Sequence, residues 1–254
     1  MKITKFRKIS NGKYKVFLED GSSISLYEDV IINNNLLITK SIDDEILPIL
    51  LNQNNEFHIH SLAIKYISVR MRSIKEMRSY LERKNIDNIL IDQVINTLIK
   101  EGYLNDFNFA KAYCNDQIII STKGPDKIRK ELVEFGISND IINDVIDEID
   151  DDIIKEKLSN LIKKQIKIRK GSAKALKIKL VNYFKNLGYS SELILKELSS
   201  YKLKSDINKL EKDYNRLYSK YKDKYSDNEL KYILAQKLYA KGYTSEDVSK
   251  LDIN

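Results

Sequence analysis

One short pattern, written four times along the chain, limits the possible folds more than any other feature. It reads Leu81-x3-Asn85-Ile86-Asp87-x3-Ile91, Leu132-x3-Gly136-Ile137-Ser138-x3-Ile142, Phe184-x3-Gly188-Tyr189-Ser190-x3-Ile194 and Leu238-x3-Gly242-Tyr243-Thr244-x3-Val248. The Gly or Asn positions lie 51, 52 and 54 residues apart. Self-similarity at such a period marks a stacked-repeat architecture, in which one supersecondary unit is copied and each copy buries its apolar face on the next.

Every fixed position has a physical reason if one helix ends there and another begins at once. Glycine is the usual residue just past a helix end because it takes the left-handed conformation without steric cost, and Asn85 is the next-best substitute. Asp87, Ser138, Ser190 and Thr244 are good N-caps for the following helix. The apolar residue between serves both helices: it closes on the apolar residue four before the glycine, and it staples to Ile91, Ile142, Ile194 or Val248. The upstream helix also has a readable start. Ser73 with Glu76 and Ser226 with Glu229 have capping-box spacing, Gly124-Pro125 puts Pro at the first helical position, and Ser172 is a cap in the third copy. From cap to last apolar residue is 8 residues in the first two copies and 12 in the last two, about one helical turn more. An amphipathic stretch precedes each pair of helices, around residues 61–70, 106–120, 153–169 and 206–222, which makes three helices per unit.

Residues 1–27 alternate with period two around the turn signals Asn11-Gly12 and Asp20-Gly21. Phe6, Tyr14, Val16, Leu18, Ile24 and Leu26 supply the strand-forming residues. So few strands are marginal alone, so this head is expected to pack on a helix around Ser41 to Leu51 or on the next unit, with Asn52 to Asn55 as a linker. The expected fold is mostly α: tandem three-helix, helix-turn-helix-like repeats forming an elongated array behind a small strand-rich hairpin region. The expected divisions are a head over 1–56 and repeats over 57–102, 103–152, 153–204 and 205–254.

Composition excludes several function classes. The lone Cys114 cannot form an internal disulfide and falls in a helical apolar pattern, as a small core residue does. No run approaches the roughly 18 apolar residues of a membrane helix, and the opening MKITKFRKIS lacks a signal peptide's apolar stretch, so a cytoplasmic protein is expected. His58 and His60 are the only histidines and read as a loop pair in the linker, with no metal-site spacing around them. No phosphate-cradling glycine loop or nucleophile motif is present. The expectation is therefore no catalytic residue, no metal and no cofactor. The net charge of +7 is uneven. Residues 103–154 carry 5 Lys and Arg against 12 acids, whereas 155–204 carry 14 against 3. A basic excess confined to one unit is the footprint of a surface that meets a polyanion, with solvated helix faces as the bland alternative. The acids Asp147, Glu148, Asp150, Asp151 and Asp152 read as a solvated helix end; the sharper alternative is that they keep DNA off the second unit and orient the chain.

The first unit contains Tyr66-x3-Arg70-x-Arg72-Ser73-x2-Glu76-x4-Leu81. The second contains Gly102-Tyr103-Leu104-Asn105-Asp106-x2-Phe109-Ala110-x2-Tyr113 and continues Lys123-Gly124-Pro125-x2-Ile128-x3-Leu132-x3-Gly136-Ile137. In that order these resemble the RecX family over residues 61–146, in register to about 198. The resemblance implies a non-enzymatic regulator of recombination, DNA repair and the SOS response. It implies a monomer that lies in the groove of the RecA–DNA filament, limits RecA activity and also binds single-stranded or double-stranded DNA, with no membrane partner. Leu104, Phe109, Ala110, Ile128 and Leu132 are expected in the core. The expected partner or DNA contacts are Arg70, Arg72, Lys75 and Arg78 in the first unit, Lys123 and Lys127 in the second, and Lys163, Lys164, Lys167, Arg169, Lys170, Lys174 and Lys177 in the third. In the third unit Ile154, Leu158, Leu161, Ile162 and Ile166 form an apolar stripe that leaves Lys163, Lys164, Lys167 and Lys170 largely on the other side. The alternative reading is an autonomous DNA-binding repeat protein whose units grip duplex directly.

Overall fold

The structure is a computed structural model that describes residues 1–10 and 12–251. Asn11 of the first turn signal and the last three residues of the expected fourth repeat lie outside the described residues. Strands β1 (Ile3–Ser10), β2 (Lys13–Leu18) and β3 (Ser23–Tyr27) form one antiparallel sheet in chain order. The period-two alternation turns Phe6, Tyr14, Val16, Ile24 and Leu26 to one face, where they pack with Val30, Ile31, Leu36, Ile42 and Leu50. Two short helices, α1 (Glu28–Asn33) and α2 (Leu36–Thr39), precede α3 (Leu47–Ile67).

Helix α3 corrects the expectation of a helix over Ser41 to Leu51 followed by a linker. It is 21 residues long and passes straight through Asn52 to Asn55, His58 and His60, so the division expected at residue 57 falls inside it. No Gly or Pro interrupts it after Pro48, and its polar residues have partners that oppose fraying. Asn54 Oδ1 accepts from the Tyr27 N–H at 2.8 Å, Gln53 Oε1 accepts from Asn34 Nδ2 at 2.8 Å, and Asn52 Nδ2 donates to Glu56 at 3.0 Å. One end of α3 puts Leu50 into the head core and the other puts Ile59 and Ala63 into the first repeat.

The three-helix units are as expected. Helices α4 (Ile74–Glu82) and α5 (Asn88–Lys100) complete the first. The others are α6 (Asp106–Ile120), α7 (Pro125–Glu134) and α8 (Asn139–Asp147); α9 (Asp151–Ile168), α10 (Ala173–Asn186) and α11 (Ser191–Ser199); and α12 (Ile207–Tyr221), α13 (Asp227–Ala240) and α14 (Ser245–Val248). The chain packs as two compact bodies, residues 1–109 with 135–137, and 110–134 with 138–254. At the clamp, Asn85, Gly136, Gly188 and Gly242 have φ of 56°, 83°, 87° and 88°, and Ile137, Tyr189 and Tyr243 are buried. The N-cap oxygens of Asp87, Ser138, Ser190 and Thr244 each accept a backbone N–H of the following helix.

A second contact explains why three of the four clamp residues are glycine. In the first body, Ser73 Oγ at the start of α4 accepts from the Glu76 N–H at 3.1 Å and donates to the Phe135 carbonyl at 2.8 Å. In the second body, Ser172 Oγ at the start of α10 does the same with Ala175 and with the Lys241 carbonyl at 2.7 Å. At the start of α7 backbone replaces side chain: the Gly124 N–H donates to the Leu187 carbonyl at 2.7 Å and the Asp126 N–H to that of Gly188 at 3.0 Å. Each carbonyl partner of Ser73, Gly124 and Ser172 belongs to the residue just before a clamp glycine, and the approach is close. A Cβ on Gly188 would lie 2.4 Å from the Lys127 nitrogen, and one on Gly124 would lie 2.5 Å from the Gly188 oxygen. Asn85 is exposed at the one copy that contains no glycine.

The two demands on the clamp residue separate in a denaturation series. Gly102 has φ of +81° with nothing within 4 Å of an added Cβ, so Gly102→Asn carries the conformational cost alone, about 1 kcal/mol. Gly188→Asn adds the overlap with Lys127 and is expected to lose about 3 kcal/mol in urea unfolding, while Asn85→Gly changes stability by less than about 1 kcal/mol. Equal losses for Gly188→Asn and Gly102→Asn would remove the contact from the account.

Candidate partner and nucleic-acid interface

The third repeat carries the basic surface. Helix α9 opens on Asp150, whose carboxylate accepts from the Asp152 N–H at 2.8 Å, so Asp150, Asp151 and Asp152 close a helix start and sit at the favourable end of its dipole, while Asp147 and Glu148 end α8. Ile154, Leu158 and Ile162 are buried. At 100° per residue Lys163, Lys164 and Lys167 point away from that stripe; all three are exposed, and no ion pair among the described residues engages them. In α10 the buried residues are Leu176, Leu180 and Phe184, which leaves Lys177, Lys179 and Lys185 exposed. Lys170 is exposed and lies 3.8 Å from Asp206. Arg169 has an inward role: its guanidinium sits 4.5 Å from the centre of the Tyr183 ring and its Nε donates to Gln165 at 2.8 Å.

Most of the basic residues expected at an interface in the first two repeats have partners within the fold. Arg72 lies over Tyr66 at 3.9 Å from the ring centre, Tyr66 stacks on Tyr80 at 4.0 Å, and the Arg72 side chain is only 11% exposed. Arg70 Nη2 donates to Glu76 at 2.5 Å, a contact that holds the guanidinium above its ordinary pKa. Arg78 pairs with Asp92. Lys123 donates to Glu131 at 2.7 Å, and Glu131 also accepts from Tyr113 OH at 2.7 Å. The methylene stems of Lys75 and Lys174 fill the space that side chains at Gly136 and Gly242 would need, and Lys127 does the same at Gly188. Lys163, Lys164, Lys167, Lys174 and Lys177 remain as exposed cations with no carboxylate partner among the described residues.

One lysine of the same helix works inward, which sequence reading missed. Lys157 Nζ donates to the carbonyls of Lys123 at 2.9 Å and Gln117 at 3.1 Å, and burial pushes its pKa down to about 8. It therefore ties α9 to the end of α6 and to the loop before α7. Helical spacing places Lys157 at the edge of the apolar stripe, but carbonyls 34 and 40 residues away leave no local signal. The histidines are likewise structural neighbours: Tyr27 OH and His58 Nδ1 lie 2.8 Å apart, as do His60 Nε2 and Glu101.

Two family models match the chain: RecX, first three-helix domain, over residues 60–98, and RecX, second three-helix domain, over residues 105–146. The Regulatory protein RecX of Streptococcus uberis is 31% identical over 261 aligned positions, covering 99% of this chain and 98% of that protein. That of Halalkalibacterium halodurans is 28% identical over 253 positions, covering 96% and 95%. A crystal structure of regulatory protein RecX superposes with a TM-score of 0.66 at 21% identity, over 76% of this chain and 96% of that one. A crystal structure of RecX from Lactobacillus salivarius does so with 0.55 at 25% identity, over 58% and 97%.

The split between inward and outward cations predicts a split in stability. Arg72→Ala removes a desolvated cation from two stacked rings and is expected to cost about 2 kcal/mol, and Lys157→Ala, which removes two hydrogen bonds from carbonyls that keep Ser121 and Tyr189 as donors, about 1 kcal/mol. Lys163→Ala, Lys164→Ala and Lys167→Ala are each expected within about 0.5 kcal/mol of wild type by thermal or urea unfolding. A comparable loss at Lys167 would show that the outward face serves the fold.

Proposed function

Because this chain belongs to the RecX family of regulatory proteins, we propose that it regulates homologous recombination and DNA repair without catalysis of its own. It acts in the cytoplasm as a monomer, binds the groove of the RecA–DNA filament and lowers RecA activity. The observation that carries this reading is the outward lysine face of the third repeat. Lys163, Lys164, Lys167 and Lys177 have no carboxylate partner among the described residues, while most other basic residues expected at an interface are already engaged. A filament groove presents acidic protein and phosphate together, and both attract such a face. The lysine face is therefore the main partner contact, with Lys170 at its edge. Arg70 and Arg78 reach the partner only by exchanging Glu76 and Asp92 for it.

Reversing Lys163, Lys164, Lys167 and Lys170 together to Glu is expected to leave the helices intact and to abolish inhibition of RecA strand exchange. Wild-type affinity for RecA-coated single strands should fall steeply with salt, and that of the variant less steeply, because fewer counterions are released. Wild-type inhibition by the variant, with the same salt slope, would move the interface elsewhere. Binding of naked duplex as tight as binding of RecA-coated strands would favour an autonomous DNA-binding protein instead.

A further inference from the structure

The first 18 residues hold six lysines and arginines and no acid, whereas residues 19–56 hold one lysine and eight acids. The head as a whole is therefore nearly neutral, and its average hides a segregated charge. The strand register shows where the cations go. Lys5 stands opposite Phe17, which stands opposite Ser23; Arg7 stands opposite Lys15, which stands opposite Ser25. These six residues alternate with the core-facing Phe6, Val16, Ile24 and their neighbours, so they share the other face of the sheet. Lys5, Arg7, Ser23 and Ser25 are exposed, Lys15 and Phe17 partly so. No ion pair among the described residues involves Lys5, Arg7 or Lys15.

Two features of this face work against an isolated sheet. Arg7 and Lys15 are like charges directly opposite each other, a destabilising cross-strand arrangement, and no ion pair among the described residues relieves them. An aromatic ring on the central strand faces away from the core. Both become favourable if an anionic chain with flat apolar groups lies on the sheet. The Arg7 and Lys15 cations stand 5.6 and 5.5 Å from the centre of the Phe17 ring. Both lie over the ring, farther out than the 3.9 Å at which Arg72 covers Tyr66, so a stacking base would displace them and leave them free for its phosphates.

We propose that this face of the head is a binding platform for single-stranded nucleic acid: a base stacks on Phe17, phosphates lie against Arg7, Lys15 and Lys5, and the hydroxyls of Ser23 and Ser25 face the backbone. A duplex keeps its bases stacked on one another and offers Phe17 no free base, so the platform prefers single strands. An acidic protein or an anionic membrane would satisfy the cations without using the ring. The proposal does not depend on the lysine face of the third repeat.

The test uses the full chain and fluorescent 20-mers of dT, of U and of duplex DNA, without recombinase. Phe17→Leu keeps an apolar strand residue but removes the flat surface. It is expected to weaken binding of one or both single strands roughly tenfold, with duplex affinity and salt slope unchanged, and Phe17→Tyr is expected to bind as wild type. The dT and U arms show whether the platform serves DNA, RNA or both. Arg7→Ala with Lys15→Ala changes only surface side chains and is expected to reduce the single-strand salt slope by about 1.4. Wild-type affinity of Phe17→Leu for both single strands would overturn the proposal. So would an Arg7→Ala, Lys15→Ala variant that loses binding to phosphatidylglycerol vesicles and keeps its single-strand affinity. If Phe17→Leu unfolds the head by circular dichroism, the double alanine variant decides. The third-repeat lysines are intact in all these variants, so failure here leaves the filament reading untouched, and the reverse also holds.

Discussion

The structure depends on one contact made three times: the start of a middle helix meets the carbonyl that ends another. The first N–H groups and last C=O groups of any helix lack partners inside it. Here Ser73, Gly124 and Ser172 donate to the carbonyls of Phe135, Leu187 and Lys241, each just before a clamp glycine. Each serine hydroxyl accepts an orphan N–H of its own helix and donates to an orphan carbonyl of the other, and at Gly124 a backbone N–H donates directly, with the positive end of one dipole against the negative end of the next. The first N–H groups of α4 and α10 go to Asp106 Oδ1 and Ser205 Oγ, so the helix starts are closed from two sides. The burial that raises the pKa of the Asp106 carboxyl reflects that enclosed position.

This contact gives the repeat its glycines a second cause. A left-handed conformation is open to Asn as well as to Gly, and Asn85 shows that the chain uses both. Only Gly allows another backbone within the distances found at Gly188. Gly124, read from sequence as part of a helix start beside Pro125, belongs to the same contact, since its missing side chain is what lets the Gly188 carbonyl approach.

What was legible in the sequence was what is local. Caps, clamp residues and helix stops act within five residues of each other, and the four copies reported them four times. What was not legible is fixed by partners far along the chain. Asn52 to Asn55 has the composition of a linker, yet hydrogen bonds to Tyr27 and Asn34 keep it helical. Arg72 has the look of a phosphate contact until Tyr66 and Tyr80 are seen beneath it. Lys157 sits at the edge of the apolar stripe whereas Lys163 points away from it, but what draws Lys157 inward is a pair of second-repeat carbonyls far along the chain. Charge summed over the head concealed the basic sheet face, which strand parity applied to Lys5, Arg7, Lys15 and Phe17 would have exposed.

The same distinction decides what the surface charge is for. Exposed ion pairs contribute about 0–1 kcal/mol each, and an exposed lysine without a partner contributes less. A helix dipole accounts for acids at the start of α9 and some lysines at its end, since that effect fades within one turn. It does not account for Lys177, Lys179 and Lys185 on the next helix, nor for an excess of 14 cations over 3 acids across residues 155–204. Mutual repulsion among those cations weakens the folded state unless something outside the chain neutralises it. The fold absorbs Arg72, Lys123 and Lys157 into stacks, ion pairs and caps; among the described residues it leaves Lys163, Lys164 and Lys167 with no such use, and that difference is why an anionic partner is proposed for them.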